Sequence, residues 1–293
     1  MEIRYDKWYS DALGREMELK TYGESGKPVL CIPCQNGRFY DFENFKMLDA
    51  WTPFIEEGKV WVITVDTIDS ETWSNKSGNP YLRIRRHEQW VQYLLKEVVP
   101  YIHSLQHSRG QAESGIMAFG CSLGATHATN LYFRFPETFD MLLALSGIYD
   151  AAYGFDGYMD ELVYYNSPLH YLPNMPLDHA YMELYRKNKA VICVGQGNWE
   201  LPDSTRSLKS ILEEKGIPAW VDLWGFDVTH DWPWWFKQVA YFVPKFFESD
   251  AAEDSAPKAE RKSKAAAKPK TADKPKAADK PKAARKSRAK TKE

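Results

Sequence analysis

The stretch Gly115-Ile116-Met117-Ala118-Phe119-Gly120-Cys121-Ser122-Leu123-Gly124 limits what this chain can fold into more than any other. An apolar run of strand length ends in Gly-x-Ser-x-Gly, and residues 125–135 then read as a helix, so Ser122 falls at a strand-to-helix turn. A Cβ at position 120 or 124 would collide with the neighbouring strand or helix in so tight a turn, which accounts for both glycines. The pattern is that of a nucleophile elbow. It would hold Ser122 in a strained backbone conformation at the carboxyl edge of a sheet, with the Leu123 N–H at a helix start, where an oxyanion would form. The five-residue motif alone is weak, because Gly and Ser are common enough for chance matches, and the flanking strand and helix give it weight. A base and an acid are then required, in the chain order Ser, acid, His.

The 293 residues, 44% of them hydrophobic, suffice for one sizeable core. One domain over 1–249 followed by a tail over 250–293 fits better than two domains, because α/β folds of about 250 residues are routinely single. No N-terminal apolar run with a basic flank and no stretch of about 18 apolar residues is present, so neither a signal peptide nor a membrane span is expected. Three of Cys31, Cys34, Cys121 and Cys193 fall in or beside expected buried strands, which points to a reduced, cytoplasmic protein. Cys31 and Cys34 spell Cys-x-x-Cys, but at the end of a strand and without a second pair to complete a metal site.

Residues 2–9 and 17–22 read as antiparallel strands joined by a turn-rich connection. Residues 29–32 form a short buried strand behind Pro28, and Gly37 in the following loop 33–40 allows close backbone approach, although Asn36-Gly37 is also a common turn. Helices are expected over 44–57, 81–107, 125–135, 204–215 and 236–247, with Gly58 and Gly216 as stops and Ser204 as an N-cap. Strands are expected over 60–65, 139–145, 190–194 and 220–224. The polar loop 67–80 has the length and place of a segment that shapes a site. Residues 151–188 break the strand-helix rhythm. Their aromatics show no period that would bury them in the main core, so they read as a cap-like insertion over the site, with a plain surface excursion as the alternative. His103 and His107 have a metal-compatible spacing but no Glu after the first His; His127 reads as packed within the elbow helix; Gly195-Gln196-Gly197 lacks the remaining residues of a phosphate loop.

Alternating strands and helices over 29–247 predict an α/β fold, a mostly parallel sheet covered by helices on both faces, which binds ligands at the carboxyl ends of its strands. Ser122, Glu200 and His230 each fall just past one. The three types fit one chemistry: His230 takes the Ser122 proton and later delivers it to the leaving group, while a buried carboxylate fixes the imidazole tautomer. Glu200 is the preferred acid because it lies nearest its strand end. Asp203 is the alternative, with Asp227 and Asp231 behind it, and His230 packed in its aromatic cluster is the reading without chemistry.

The arrangement resembles the esterase branch of the α/β-hydrolase fold, the group of S-formylglutathione hydrolases, feruloyl and siderophore esterases and mycolyltransferases. The resemblance covers about residues 1–248 and rests on Gly120-Cys121-Ser122-Leu123-Gly124, Gly197-Asn198-Trp199-Glu200 and His230-Asp231-Trp232-Pro233-Trp234-Trp235. Members commonly carry a Trp two residues after the His and another further on, as Trp232 and Trp235 are here. By the family's pattern the oxyanion hole would be the Leu123 and Arg38 N–H groups. Gln35-Asn36-Gly37-Arg38 departs from the Leu-x-Gly-Leu of better-known members, and 151–188 has no assignment to carry over. The resemblance implies a serine esterase that acts through an acyl-enzyme on a small carboxylic ester, with no metal or organic cofactor. An acyltransferase with the same triad is the alternative, or a catalytically silent hydrolase fold that binds an anionic polymer through its tail. The intact Ser, acid and His set weighs against the last.

The formal net charge of −2 hides an asymmetry: residues 251–293 hold about 15 Lys and Arg against about 6 Asp and Glu, which leaves the tail near +9 and the rest near −11. The tail repeats a Lys-Pro-Lys hexad from Lys268 and has too little apolar surface to offset its ordering entropy, so disorder is expected. Weak, sequence-independent attraction to nucleic acid or another polyanion is one reading, and a solubilising tail lying against the acidic body is the other.

Overall fold

A computed structural model describes residues 1–248, and the expectations for the basic tail lie outside them. Eight strands, β1 (Ile3–Ser10), β2 (Arg15–Tyr22), β3 (Lys27–Ile32), β4 (Val60–Val65), β5 (Ile116–Cys121), β6 (Phe139–Leu145), β7 (Lys189–Val194) and β8 (Trp220–Leu223), form one sheet in the order β1-β2-β4-β3-β5-β6-β7-β8. β1 pairs antiparallel with β2, and β2 antiparallel with β4. From β4 to β8 every pairing is parallel. The chain leaves β3 toward β4 on one side and returns to β5 on the other. The loops after β3 and β5 therefore diverge at a topological switch point, where a crevice opens at the carboxyl edge.

The helices are α1 (Asp41–Asn44), α2 (Met47–Glu56), α3 (Pro80–Tyr93), α4 (Val99–Ser108), α5 (Leu123–Arg134), α6 (Glu161–Tyr165), α7 (Pro168–Asn174), α8 (Tyr181–Lys187), α9 (Pro202–Lys215) and α10 (Trp232–Phe247). Two of the expected helices are divided for local reasons. The expected helix over 44–57 is broken by Lys46, whose φ of +63° ends α1 before α2 begins. The one over 81–107 is divided by a π turn at Leu94–Val98, just before Pro100, which lacks the N–H and clashes with the carbonyl four residues earlier. Ser204 lies inside α9 rather than capping it, and its Oγ accepts the Tyr149 N–H at 2.7 Å.

β5 shows how the sheet divides the core. Met117, Phe119 and Cys121 face one apolar layer with Trp51 and Phe54 of α2 and Val239 and Phe242 of α10, whereas Ile116 and Ala118 face the other, with Trp90, Leu131 and Leu208. This period-two alternation buries the strand on both sides, as a parallel sheet requires. Burial of a side chain such as Phe119 contributes roughly 1.5–3 kcal/mol.

Segment 151–188 differs from its expected role. Tyr171 and Leu172 of α7 and Met182 and Tyr185 of α8 are buried in the main core, where Tyr185 donates its hydroxyl to the Phe133 carbonyl. Short helices of five to seven residues are too brief to display a helical period, so their core contacts were invisible in the pattern. Only Tyr153 and Gly154, at the start of the segment, line the cavity above the elbow.

Candidate active site

Ser122 sits between β5 and α5 with φ +56° and ψ −128°, a conformation that costs of order 1–3 kcal/mol for a residue with a side chain. Its N–H donates to the Leu145 carbonyl at 2.8 Å, which fixes the turn to β6. The flanking glycines are required by space: a Cβ on Gly120 would lie 2.2 Å from the Gly124 carbonyl carbon, and one on Gly124 2.2 Å from the Ile32 oxygen.

The carboxyl edge brings Ser122, His230 and Glu200 into one hydrogen-bonded line. Ser122 Oγ lies 2.9 Å from His230 Nε2, and His230 Nδ1 lies 3.1 Å from Glu200 Oε2. With the proton on Nδ1, the ring donates to the carboxylate and accepts from the serine hydroxyl. The Glu200 side chain is only 1% exposed. Its other oxygen, Oε1, accepts from Ser146 Oγ at 2.7 Å and from the Gly195 N–H at 3.1 Å, so the buried charge is hydrogen-bonded on both oxygens. Asp203 is elsewhere: its side chain is 95% exposed and pairs with Arg206. Asp227 is exposed, and Asp231 caps α10 by accepting the Trp232 N–H.

Two residues support this line: Ser146, which has no role in the sequence reading, and Trp235, which enters it only as part of the motif that follows His230. Ser146, at φ +60° just past β6, donates to Glu200 and accepts from Trp235 Nε1 at 3.0 Å. Trp235 also meets the His230 ring edge-to-face, with centroids 5.0 Å apart. The signal available was positional, since Ser146 follows a strand adjacent to the elbow strand.

Arg38 does not take the place expected of it. Its N–H donates to Asp41 Oδ2 at 2.9 Å, and its guanidinium pairs with Asp66 and Glu18, away from the cavity. Asp41, three residues on, is the reason: its short side chain captures the N–H at the start of α1. Gln35, earlier in the same loop, lines the cavity with Leu123. Among the described residues neither the Gln35 nor the Leu123 N–H has an acceptor.

The cavity is about 220 Å³ and is also lined by Trp73, Lys76, Thr126, Ile148, Trp199 and Leu201. Behind it lies a buried cluster in which His127 Nε2 is 3.0 Å from Asp69 Oδ1, while Asp69 Oδ2 accepts the Asn36 N–H. This pair ties the elbow helix to the loops after β3 and β4. His87 stacks on His127, and burial, reinforced by the neighbouring His127, holds its imidazole well below the usual range.

Cys31, Cys34, Cys121 and Cys193 are free thiols, and burial raises all four, with Cys34 pushed up to about 12. His103 and His107 both face Glu113. Among the described residues no group of three or more His, Cys, Asp or Glu is placed to hold a metal ion. No helix among them is long and apolar enough to cross a membrane.

A mostly parallel sheet with an elbow serine, a histidine and a carboxylate at its carboxyl edge defines an α/β hydrolase, a serine hydrolase of esterase type. More particularly, the chain belongs to the family described as "Putative esterase", whose model matches residues 10–246. Among solved structures it is similar to an S-formylglutathione hydrolase from Agrobacterium tumefaciens, with 15% identity, a TM-score of 0.63, and 84% of this chain and 92% of that one covered. It is also similar to an S-formylglutathione hydrolase from Staphylococcus aureus, at 16% identity and a TM-score of 0.61 over 83% and 96%. A ferulic acid esterase from Anaeromyces mucronatus matches at 13% and 0.60 over 83% and 89%. At such identities the likeness establishes the fold. No protein among curated sequences matches.

Proposed function

We propose that Ser122 is the nucleophile of a carboxylic ester hydrolase, with His230 as general base and acid and Glu200 as the orienting carboxylate. Ser122 Oγ attacks the ester carbonyl carbon as its proton passes to His230 Nε2, and collapse of the tetrahedral adduct expels the alkoxide, which takes that proton. Water then enters, gives a proton to His230 and attacks the acyl-enzyme; the carboxylate product leaves as Ser122 regains its hydrogen. The oxyanion would be held by the Leu123 N–H and, in place of Arg38, the Gln35 N–H. The observation that carries this reading is the continuous line from Ser122 Oγ through His230 to a buried, fully hydrogen-bonded Glu200. Its test is turnover of p-nitrophenyl acetate and butyrate, with fluorophosphonate labelling, by the wild type and Ser122→Ala. Activity and labelling are expected only in the wild type; an unlabelled, inactive wild type overturns the proposal.

The four free thiols support residence in a reducing compartment, the cytoplasm, which cell fractionation checks. The charge of residues 251–293 supports weak polyanion binding by the tail. Salt-sensitive DNA retention should disappear on deleting 251–293, and retention that survives the deletion removes that role.

A further inference from the structure

Trp199 is the least packed large side chain at the site. It is 88% exposed, whereas Trp220, the next most exposed of the eleven tryptophans, is at 39%. Trp232 and Trp235 pack on each other, but Trp199 has no ring partner among the described residues. Its backbone lies at φ +67°, a left-handed conformation disfavoured for a bulky residue and open to glycine. Both neighbours are held by the same histidine: the Asn198 carbonyl accepts the His230 N–H, and the Glu200 carboxylate meets the His230 ring. The turn's shape thus serves the His230–Glu200 pair, and a glycine would supply it more easily. The indole contributes nothing to packing that explains its presence, yet it lines the cavity beside Ser122 and His230.

The chemistry around the mouth narrows what this ring contacts. Tyr153 and Leu201, 64% and 48% exposed, line the same cavity. Lys76 is the cation beside them, but its ammonium is spent on the Tyr153 and Gly154 carbonyls and Asp156 Oδ1, at 2.9, 3.0 and 3.1 Å. With three donors engaged, it has none left for an anionic group. We propose that Trp199, with Tyr153 and Leu201, forms a subsite that stacks a flat, uncharged aromatic ring of the ester, so that this chain selects aryl-bearing esters over alkyl esters of similar length. The proposal deepens the esterase reading of Ser122 and rests on it for the word ester; the stacking itself needs no turnover.

The test is therefore an equilibrium one. Full-length Ser122→Ala protein is titrated calorimetrically with 2-naphthyl acetate, ethyl 2-naphthoate and octyl acetate, beside the double variant Ser122→Ala/Trp199→Gly. Loss of the indole should weaken at least one naphthyl ester about fivefold relative to octyl acetate. The naphthyl ester affected identifies whether the ring belongs to the alcohol or the acyl half. Glycine takes φ +67° without strain, so the double variant should melt no lower than Ser122→Ala. Trp199→Phe in the same background, which keeps a ring, should retain naphthyl affinity within about threefold. Equal weakening of naphthyl and octyl esters, no weakening at all, or equal loss in the Phe and Gly variants would overturn the subsite. Failure of the wild type to hydrolyse any ester would strike the catalytic reading and leave the titration result standing.

Discussion

Glu200→Gln separates the role of the carboxylate from its shape. The carboxylate accepts from three donors: Ser146 Oγ and the Gly195 N–H on Oε1, and His230 Nδ1 on Oε2. A glutamine of the same outline has one oxygen and one NH₂ to place there. The Gly195 N–H is a backbone donor that cannot turn away, so the amide oxygen must occupy the Oε1 position, and the NH₂ is left facing Nδ1. The imidazole then carries its proton on Nε2, which points that N–H at Ser122 Oγ and removes the base. The loss expected in kcat is about 10,000-fold, by analogy with the same change in other Ser-His-carboxylate sites, or about 5.4 kcal/mol of barrier. The fold should survive, because all three hydrogen bonds keep a partner while becoming neutral and the cost of burying a charge is relieved, a net loss of about 1–2 kcal/mol and about 2–8 °C in a domain of this size. Steady-state hydrolysis of p-nitrophenyl acetate and thermal melting by circular dichroism read the two effects separately. A folded variant that keeps more than a tenth of wild-type kcat would refute the argument, and Asp203→Asn, at an exposed residue paired with Arg206, should keep all of it.

Gly124→Ala drives a Cβ to 2.2 Å from the Ile32 oxygen and 2.5 Å from the Pro33 oxygen, so β3 and α5 must separate; a loss above about 3 kcal/mol in urea denaturation is expected. His87 is held neutral in the folded state, its pKa lowered first by burial and then by His127, so the unfolded chain binds the extra proton. Its contribution is fully present above the unfolded value of about 6.5 and falls as pH drops below it, by up to about 1.4 kcal/mol per pH unit, until the folded value is reached. Melting temperature should therefore fall from pH 7.5 to 5.5 more steeply in the wild type than in His87→Asn. The Cys34 thiol, raised by burial and then by Asp41, should react with an aromatic disulfide at pH 8 far more slowly in the native protein than after denaturation; equal rates would contradict its burial.

Much of the fold was legible because its signals are local. Strand-length apolar runs, helix-stopping glycines and the Gly-x-Ser-x-Gly turn depend on neighbours in sequence, and they placed all eight strands and the elbow. Ser122, Glu200 and His230 could be singled out together because a parallel sheet gathers the ends of its strands at one edge. What the sequence could not decide depends on long-range contact or on competition for one hydrogen. Choosing Glu200 over Asp203 needed burial: one carboxylate is 1% exposed and the other 95%, though they lie three residues apart. The Arg38 N–H is taken by Asp41, an outcome of loop conformation rather than composition. Segment 151–188 shows no period because its short helices each bury only one to three side chains, and α7 and α8 are held there by contacts with residues far away in the chain. Ser146, Trp235 and the Asp69–His127 pair likewise acquire their roles only when separate loops converge on one edge of the sheet, since a hydrogen bond between residues tens of positions apart leaves no period for a single sequence to display.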